Sequence, residues 1–534
     1  MTCRIATRPP RGPVEMPRVD VDPDALASFL EDAAHYHGGH ATGVAVAHSE
    51  GEVAALVRGC ARVLPIGAQS SLTGGATPMG DVVLTTTRLA EIIRIDADSA
   101  RVQPGVVLAT LQEALARAGR YYPPAPTYDG ACVGGTIATN ASGAATFKYG
   151  STRRWVQALT VVLASGEVLD VERGEVVADP GGFFEIETAR RVRRVPVPTY
   201  RMPDVPKRSA GYFAEPGMDL VDLFIGSEGT LGVVVEATLG LVAKAPNTCL
   251  ALVSCPTEAG ALALVDALRR ESITTSRTRD PRGLDVSAIE QMDRRCLDML
   301  REDGEDAKHD VRFPDGTAMA LLVQVELPRD VTGERAFDEL AGARDADAPD
   351  TPLVRFCRLL DRAGVLDDTE MALPGDGRRA RQFFDVREAV PSGVKRRIGL
   401  AKETVGASVE KTAADMIVPF ACFGEMLAIY HEGFGRRGLD YAIWGHISDG
   451  NVHPNVLPRS IDEMLAGREA ILEFGHEVIR RGGCPLAEHG VGRSPMKQQL
   501  LRDLYKEAGI EEMRAVKRAL DPEWKLSPGV LFGE

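Results

Sequence analysis

Apolar residues recur along this chain in two rhythms, one of about 3.6 residues that marks amphipathic helices and one of two that marks half-buried strands. DALASFLEDAAHYH predicts a helix over residues 24–37, with Asp22 as N-cap and Pro23 at the first helical position. GVAVAHSEGEVAALVRGCA predicts a strand and then a helix capped by Ser49, with Glu52 three residues on. VLPIGAQSSLTGGATPMGDVVLTT places a Gly-rich loop between two strands. RVQPGVVLATLQEALARAG gives a strand, a Pro104-Gly105 turn and a helix ending at Gly119, and VQALTVVLASGEVLDV gives a hairpin.

After Val242 the pattern changes. A strand and a helix succeed one another in NTCLALVSCPTEAGALALVDALRR, again in MALLVQVEL with GERAFDELAGA, and again in MLAIYHEGFGRRG with DYAIWGHISDG. Such repetition predicts an antiparallel sheet with helices on one face, so the fold class is α+β. The Arg- and Asp-rich stretch 276–317 shows little periodicity and reads as helices and surface loops. Residues 460–534 carry two good amphipathic helical patterns.

Length and composition narrow the picture. A chain of 534 residues with 44% hydrophobic and 26% charged residues is an ordinary globular one, long enough for two to four domains. A net charge of -14 argues against a nucleic-acid partner, which calls for a basic face. The nine cysteines form no CxxC pair, which points to a reducing compartment without an iron-sulfur module. No apolar run reaches the length of a transmembrane helix. The Arg- and Pro-rich opening lacks the apolar core of a secretory signal, and residues 1–22 read as a disordered tail.

Candidate chemistry concentrates late in the chain. Four of the ten histidines lie between 446 and 489, three of them in the Gly-rich segments WGHISDGNVHPN and EHGVGR. A divalent transition metal takes neutral imidazole nitrogens and often one carboxylate, with a position left open for substrate. His446, His453 and Glu488 supply that set and leave His489 as a base. Mixed ligands of this kind suit Zn, with Mn and Fe open. Arg387 can grip a carboxylate with its planar fork and Lys411 offers a point charge, though either could be a surface cation.

Two further segments are built of small residues. In GAQSSLTGGA successive backbone N–H groups can form an anion nest suited to a pyrophosphate. A strand rather than a helix follows, so the Rossmann arrangement does not apply. Gly130, Gly134, Gly135 and Gly143 sit among small side chains in DGACVGGTIATNASG and would let a large flat ligand lie against backbone.

The loop at 67–76, the run VGGTIATNASG and the segment DLFIGSEGTLGVVVEATL resemble the FAD-binding domain of the vanillyl-alcohol oxidase (p-cresol methylhydroxylase) superfamily. GHISDGNVHPN and EHGVG resemble its D-2-hydroxy-acid dehydrogenases, and the likeness spans roughly residues 35 to 533.

It implies that Pro65, Gly67, Ala68, Gln69, Ser70, Ser71, Leu72, Gly74 and Gly75 hold the FAD pyrophosphate. Asp129, Cys132, Gly134, Gly135, Ala138, Asn140 and Gly143 would line the flavin, and Glu228, Gly232 and Val233 would complete the pocket. The first loop has no histidine, so the implied FAD is non-covalent. The resemblance also turns Arg387 and Lys411 toward the substrate carboxylate, with Arg396 and Arg397 as competitors, and makes Asn451 an orienting residue. Ser527 and Val530 replace an Asn and a Lys of the related C-terminal ending, so neither is given a cofactor role.

The implied organisation is an FAD-binding domain over 23–243 with an insertion at about 173–206, a substrate (cap) domain over 244–459, and a helical segment over 460–534 packing back on the FAD domain. The RRVRR cluster could attract an acidic partner, but the insertion reads first as a solvated one.

The implied activity is oxidation of a small D-2-hydroxy acid by FAD. Electrons would pass to a quinone, a cytochrome, an electron-transferring flavoprotein or oxygen. A cytoplasmic location, peripheral attachment to a membrane, and a homodimer are all compatible. An alkyl-transferring flavoenzyme and a flavin-binding subunit without catalysis are the competing readings.

Overall fold

The computed structural model describes residues 2–124, 128–406 and 408–533. The chain forms two compact units. One comprises Met1–Gly143, Gly150–Ala245 and Leu486–Glu534, and the other Ala144–Tyr149 with Pro246–Pro485.

In the first unit, parallel pairing joins His40–Val46, Met79–Thr85 and Val63–Ile66 into a sheet that Val19–Asp20 extends at one edge. A second, antiparallel sheet runs in the order Val168–Glu172, Val156–Val162, Val233–Gly240, Ser99–Val102, Ile92–Ile95. Helix Glu50–Gly59 joins the two cores through Val53, Ala54, Leu56 and Val57, which pack with Val63, Leu84, Val162, Val168 and Val233. Its N-cap is Ser49, whose hydroxyl accepts from the Glu52 N–H, while the Glu52 carboxylate accepts from the His48 N–H.

Three expectations for this unit are corrected. The helix over 24–37 is only Pro23–Ala27. Asp32 is buried and its carboxylate accepts from the N–H groups of Ala34 and Ala76, so local side-chain bonding wins over helix. The tail read as disordered over 1–22 is ordered in its described residues, 2–22. Arg4–Ala6 is a strand parallel to Phe183–Glu187, and Arg8 pairs with Glu50 at 2.6 Å. The 173–206 stretch is no solvated insertion but carries the hairpin Phe183–Glu187 and Val192–Pro196, burying Phe184, Ile186 and Val195. Arg193 and Arg194 of its basic cluster bond the Ala519 carbonyl and Glu185.

The second unit is an all-antiparallel sheet ordered Thr369–Ala372, Asn247–Cys255, Met319–Leu327, Asp285–Asp293, Tyr441–Gly445, Asn451–Val456, Thr412–Ala413. Helices Arg294–Glu302 and Gly377–Thr404 share a core with it, through Leu297, Leu300, Phe383, Val386 and Val390. The α+β class read from the sequence is thus the one observed, with mixed sheets and helices in one unit and an antiparallel sheet with helices in the other.

Asp285–Asp293 corrects the reading of 276–317 as helices and loops, since it is a central and almost wholly buried strand. Burial on both faces removes the alternation that would have marked it. The two C-terminal helices do not act as one segment. Ile461–Arg480 belongs to the second unit, where Phe474 packs edge-on against Tyr430 and Phe434, and Pro495–Leu520 belongs to the first. Among the described residues no helix is long and apolar enough to cross a membrane.

Candidate active site

Two histidines seven positions apart share no helical face, and the second unit brings them together in another way. Strands Tyr441–Gly445 and Asn451–Val456 pair antiparallel with Trp444 opposite His453, and a single 3-10 turn, Ile447–Asp449, joins them with His446 as its N-cap. The two imidazoles lie edge to face with ring centroids 5.4 Å apart, both buried.

Gly450 closes the turn at φ +83°, where a Cβ would lie 2.3 Å from the Val418 carbonyl oxygen. Gly450→Ala is therefore expected to destabilise the protein by at least about 1–2 kcal/mol from the left-handed backbone alone. Urea unfolding of the two proteins checks this, and an unchanged midpoint would show that the turn relaxes.

Each imidazole has a carboxylate at Nδ1. For His446 it is Glu290, and for His453 it is Asp415, with Oδ1 at 3.5 Å. Asn451 donates from Nδ2 to Asp415 Oδ1 (3.1 Å) and to the Met416 carbonyl (2.9 Å), so its side chain steadies Asp415. The Arg387 fork donates to Glu290 from Nε (2.8 Å) and Nη2 (2.6 Å), and Nη1 donates to Glu388. Burial by itself would raise the Glu290 carboxyl, but Arg387 and His446 outweigh it and hold it well below the usual range. Lys411 is exposed, just before the short strand Thr412–Ala413. Arg396 and Arg397 pair with Asp303.

Glu488 and His489 belong to the first unit. Glu488 is buried, and its Oε1 accepts from Lys207 Nζ (2.6 Å) and Ser142 Oγ (3.2 Å). Its Oε2 lies 3.8 Å from His489 Nε2. His489 has φ +66°, a conformation costly for any residue but glycine. The next turn docks on Glu228, whose carboxylate accepts from the N–H groups of Val491 (2.7 Å) and Gly492 (2.8 Å). Burial pushes Glu228 up to about 7 despite those two donors.

The residues expected to hold FAD also lie in this unit. Pro65 ends the strand Val63–Ile66, and Gly67 to Gly75 form the loop after it. Among the described residues, the backbone N–H groups of Gln69, Ser70, Ser71 and Leu72 have no protein acceptor, as an anion nest requires. Gly67 packs on Cys132, which caps the helix Val133–Ala138. On that helix Gly135 is exposed, with no atom within 4 Å of where a Cβ would stand. A flat ligand could rest there, so nest and open helix face both fit FAD.

Several expected residues do their work through the scaffold instead. The Gln69 amide bonds the carbonyls of Phe29 and Ala76, and Asn140 Oδ1 accepts from the Arg153 N–H. Gln69, Asn140 and Glu228 all have positive φ, held by these side-chain bonds. Gly134 packs against Pro104 and Gly232 against Val161. Val233 opens a strand, Ala138 accepts from the Glu228 N–H, and Asp129 stays exposed.

Sequence reasoning missed Glu290, Asp415, Lys207 and Ser142. The one signal available was a lone acid in an otherwise apolar run, as in VSAIEQM and ADMIVP.

Comparison with known proteins agrees with this geometry. Residues 41–172 match a model described as an FAD binding domain, and residues 247–531, more than half of the chain, match the C-terminal domain of FAD linked oxidases. Glycolate oxidase subunit GlcD of Bacillus subtilis is 27% identical over 480 residues, covering 88% of this chain and 84% of its own. D-2-hydroxyglutarate dehydrogenase of Xanthomonas citri pv. viticola is 28% identical over 527 residues, covering 96% and 94%. D-lactate dehydrogenase of Archaeoglobus fulgidus is 27% identical over 468 residues, covering 87% and 84%. Among solved structures, p-cresol methylhydroxylase with substrate bound shares the fold with a TM-score of 0.65 at 16% identity, covering 97% of this chain and 94% of its own. Alkyldihydroxyacetonephosphate synthase does so at 0.57 and 15% identity, covering 96% and 82%. With an anion nest and open helix face in one unit, a buried histidine pair in the other and the family match across both, the chain belongs to the FAD-linked oxidases.

Proposed function

We propose that this protein is an FAD-dependent dehydrogenase that oxidises a small D-2-hydroxy acid of the D-lactate, glycolate or D-2-hydroxyglutarate class to the 2-oxo acid. The observation that carries the reading is the buried edge-to-face pair His446 and His453, each with a carboxylate at Nδ1, in a chain of this family. The names of its relatives, which act on glycolate, D-2-hydroxyglutarate and D-lactate, support the same class.

FAD, held without a covalent bond, supplies the acceptor for the α-hydrogen. A divalent metal, for which Zn is the first candidate and Mn or Fe the others, supplies a Lewis acid for the hydroxyl and carboxylate oxygens. The chain's residues do the rest. His446 and His453 would ligate through Nε2, because Nδ1 of each is turned to a carboxylate, and Glu488 through its carboxylate. His489 would take the hydroxyl proton at Nε2. Lys411 and the outer N–H groups of Arg387 would meet the substrate carboxylate, and Asn451 would keep Asp415, and through it His453, in place. The buried Lys207 would keep the Glu488 carboxylate oriented.

Anaerobic reduction tests the proposal. Purified protein should show a flavin spectrum that D-lactate, glycolate or D-2-hydroxyglutarate bleaches, and a chelator should abolish the bleaching while the flavin stays bound. Added Zn, Mn or Fe should restore it. A flavin that no hydroxy acid in the panel reduces would overturn the activity, and reduction that survives complete metal removal would overturn the metal's part in it. The electron acceptor is proposed as a quinone, a cytochrome or an electron-transferring flavoprotein, to be read from which of them reoxidises the bleached enzyme.

A further inference from the structure

We propose that Glu290 is a positioning residue that fixes His446 as a metal ligand, and that Arg387 serves the same end by holding the Glu290 carboxylate. The inference rests on the metal reading of His446 given above.

The register of the sheet sets up the contact. Gln291 pairs with Gly445 and Met292 with Trp444 across two antiparallel strands. The same register carried one residue further sets Glu290 opposite His446. Glu290 divides its two oxygens, Oε1 facing His446 Nδ1 and Oε2 taking both Nε and Nη2 of Arg387. All three groups are buried, Glu290 at 5%, Arg387 at 8% and His446 at 2% exposed.

Stability alone is a poor reason for such an arrangement. Desolvating a charged pair costs several kcal/mol per ion, and well-packed apolar residues of the same volume do as well or better. Orientation of the imidazole is a better one. A neutral imidazole has two tautomers, and only the one protonated at Nδ1 offers an Nε2 lone pair to a metal. A carboxylate that accepts from Nδ1–H selects that tautomer, stops the ring from turning, and raises the basicity of Nε2. Arg387 contributes by occupying Oε2, so that Oε1 remains aimed at His446. The inner edge of the Arg387 fork is therefore committed to Glu290, and its outer edge, where Nη1 also meets Glu388, is what remains for a substrate.

Zinc titration of the metal-stripped, FAD-containing protein tests this, with a chromophoric chelator as competitor and zinc alone as the probe. Wild type should take up one zinc tightly, and Glu290→Gln, which keeps the volume and loses the charge, should bind it about 10- to 100-fold more weakly with full flavin content. Glu290→Asp keeps the charge for Arg387 but is a methylene too short for His446, and should weaken zinc binding likewise. It decides the matter if the Gln variant does not fold. Zinc affinity within twofold of wild type in a folded variant would overturn the proposal, as would parallel loss of zinc and flavin in both variants, the mark of a structural role. If wild type takes up no zinc, or His446→Ala binds it as tightly as wild type, the metal reading itself fails, an outcome distinct from failure at Glu290.

Discussion

Replacing His489 by Gln is expected to lower the rate of flavin reduction by about 10²–10⁴-fold, the span that a positioned general base contributes. The substrate's carboxylate partners remain in place, so KM should change little. His489 holds its imidazole from a backbone at φ +66°, a conformation that Gln must adopt at similar cost, so the variant should fold as well as wild type. Stopped-flow reduction by the best hydroxy acid from the panel measures the effect. A loss of threefold or less would move the base elsewhere.

The second large effect is expected at Arg493, where substitution should destabilise the first unit and loosen FAD together. Its guanidinium is buried and donates to the Thr77 carbonyl (3.0 Å), to Asp81 Oδ2 (3.1 Å) and to the Pro528 carbonyl, and its own N–H donates to Thr73 (2.9 Å). One residue thereby ties the loop after the Val63–Ile66 strand to the C-terminal ending. Arg493→Met leaves Asp81, itself fully buried, with the Met79 N–H and with Arg62, whose side chain is 46% exposed. Removing one member of a buried pair costs about 3–5 kcal/mol, and Arg62 should hold the loss near about 3 kcal/mol. Chemical unfolding and the fraction of FAD kept after gel filtration give the two readouts. Loss of stability with FAD fully retained would show that the loop keeps its form without this tie.

Much of the chemistry was legible because it is local. Small residues in the loop after Val63–Ile66 and in the helix Val133–Ala138 permit close backbone approach wherever they occur, and His446 and His453 carry imidazole nitrogens that suit a metal in any fold. Capping by Asp22 and Ser49, and the strand and helix rhythm after Val242, were readable because each depends on neighbours a few positions away. Local rules failed where a distant partner decided. Arg4–Ala6 is a strand only because Phe183–Glu187 presents it an edge, and the helix begun at Pro23 stops because Asp32 bonds Ala76.

The sequence by itself determined the α+β class, the flavin-type loops and the histidine-rich segments that hold His446, His453 and His489, since these follow from residue type and short-range period. Only the tertiary structure decided what orients those side chains. Glu290 reaches His446 across 156 residues, Arg387 reaches Glu290 across 97, and Ser142 reaches Glu488 across 346. A buried charge must find its counter-charge in space, and the partner's place in the chain is set by sheet register and packing, which no local pattern records.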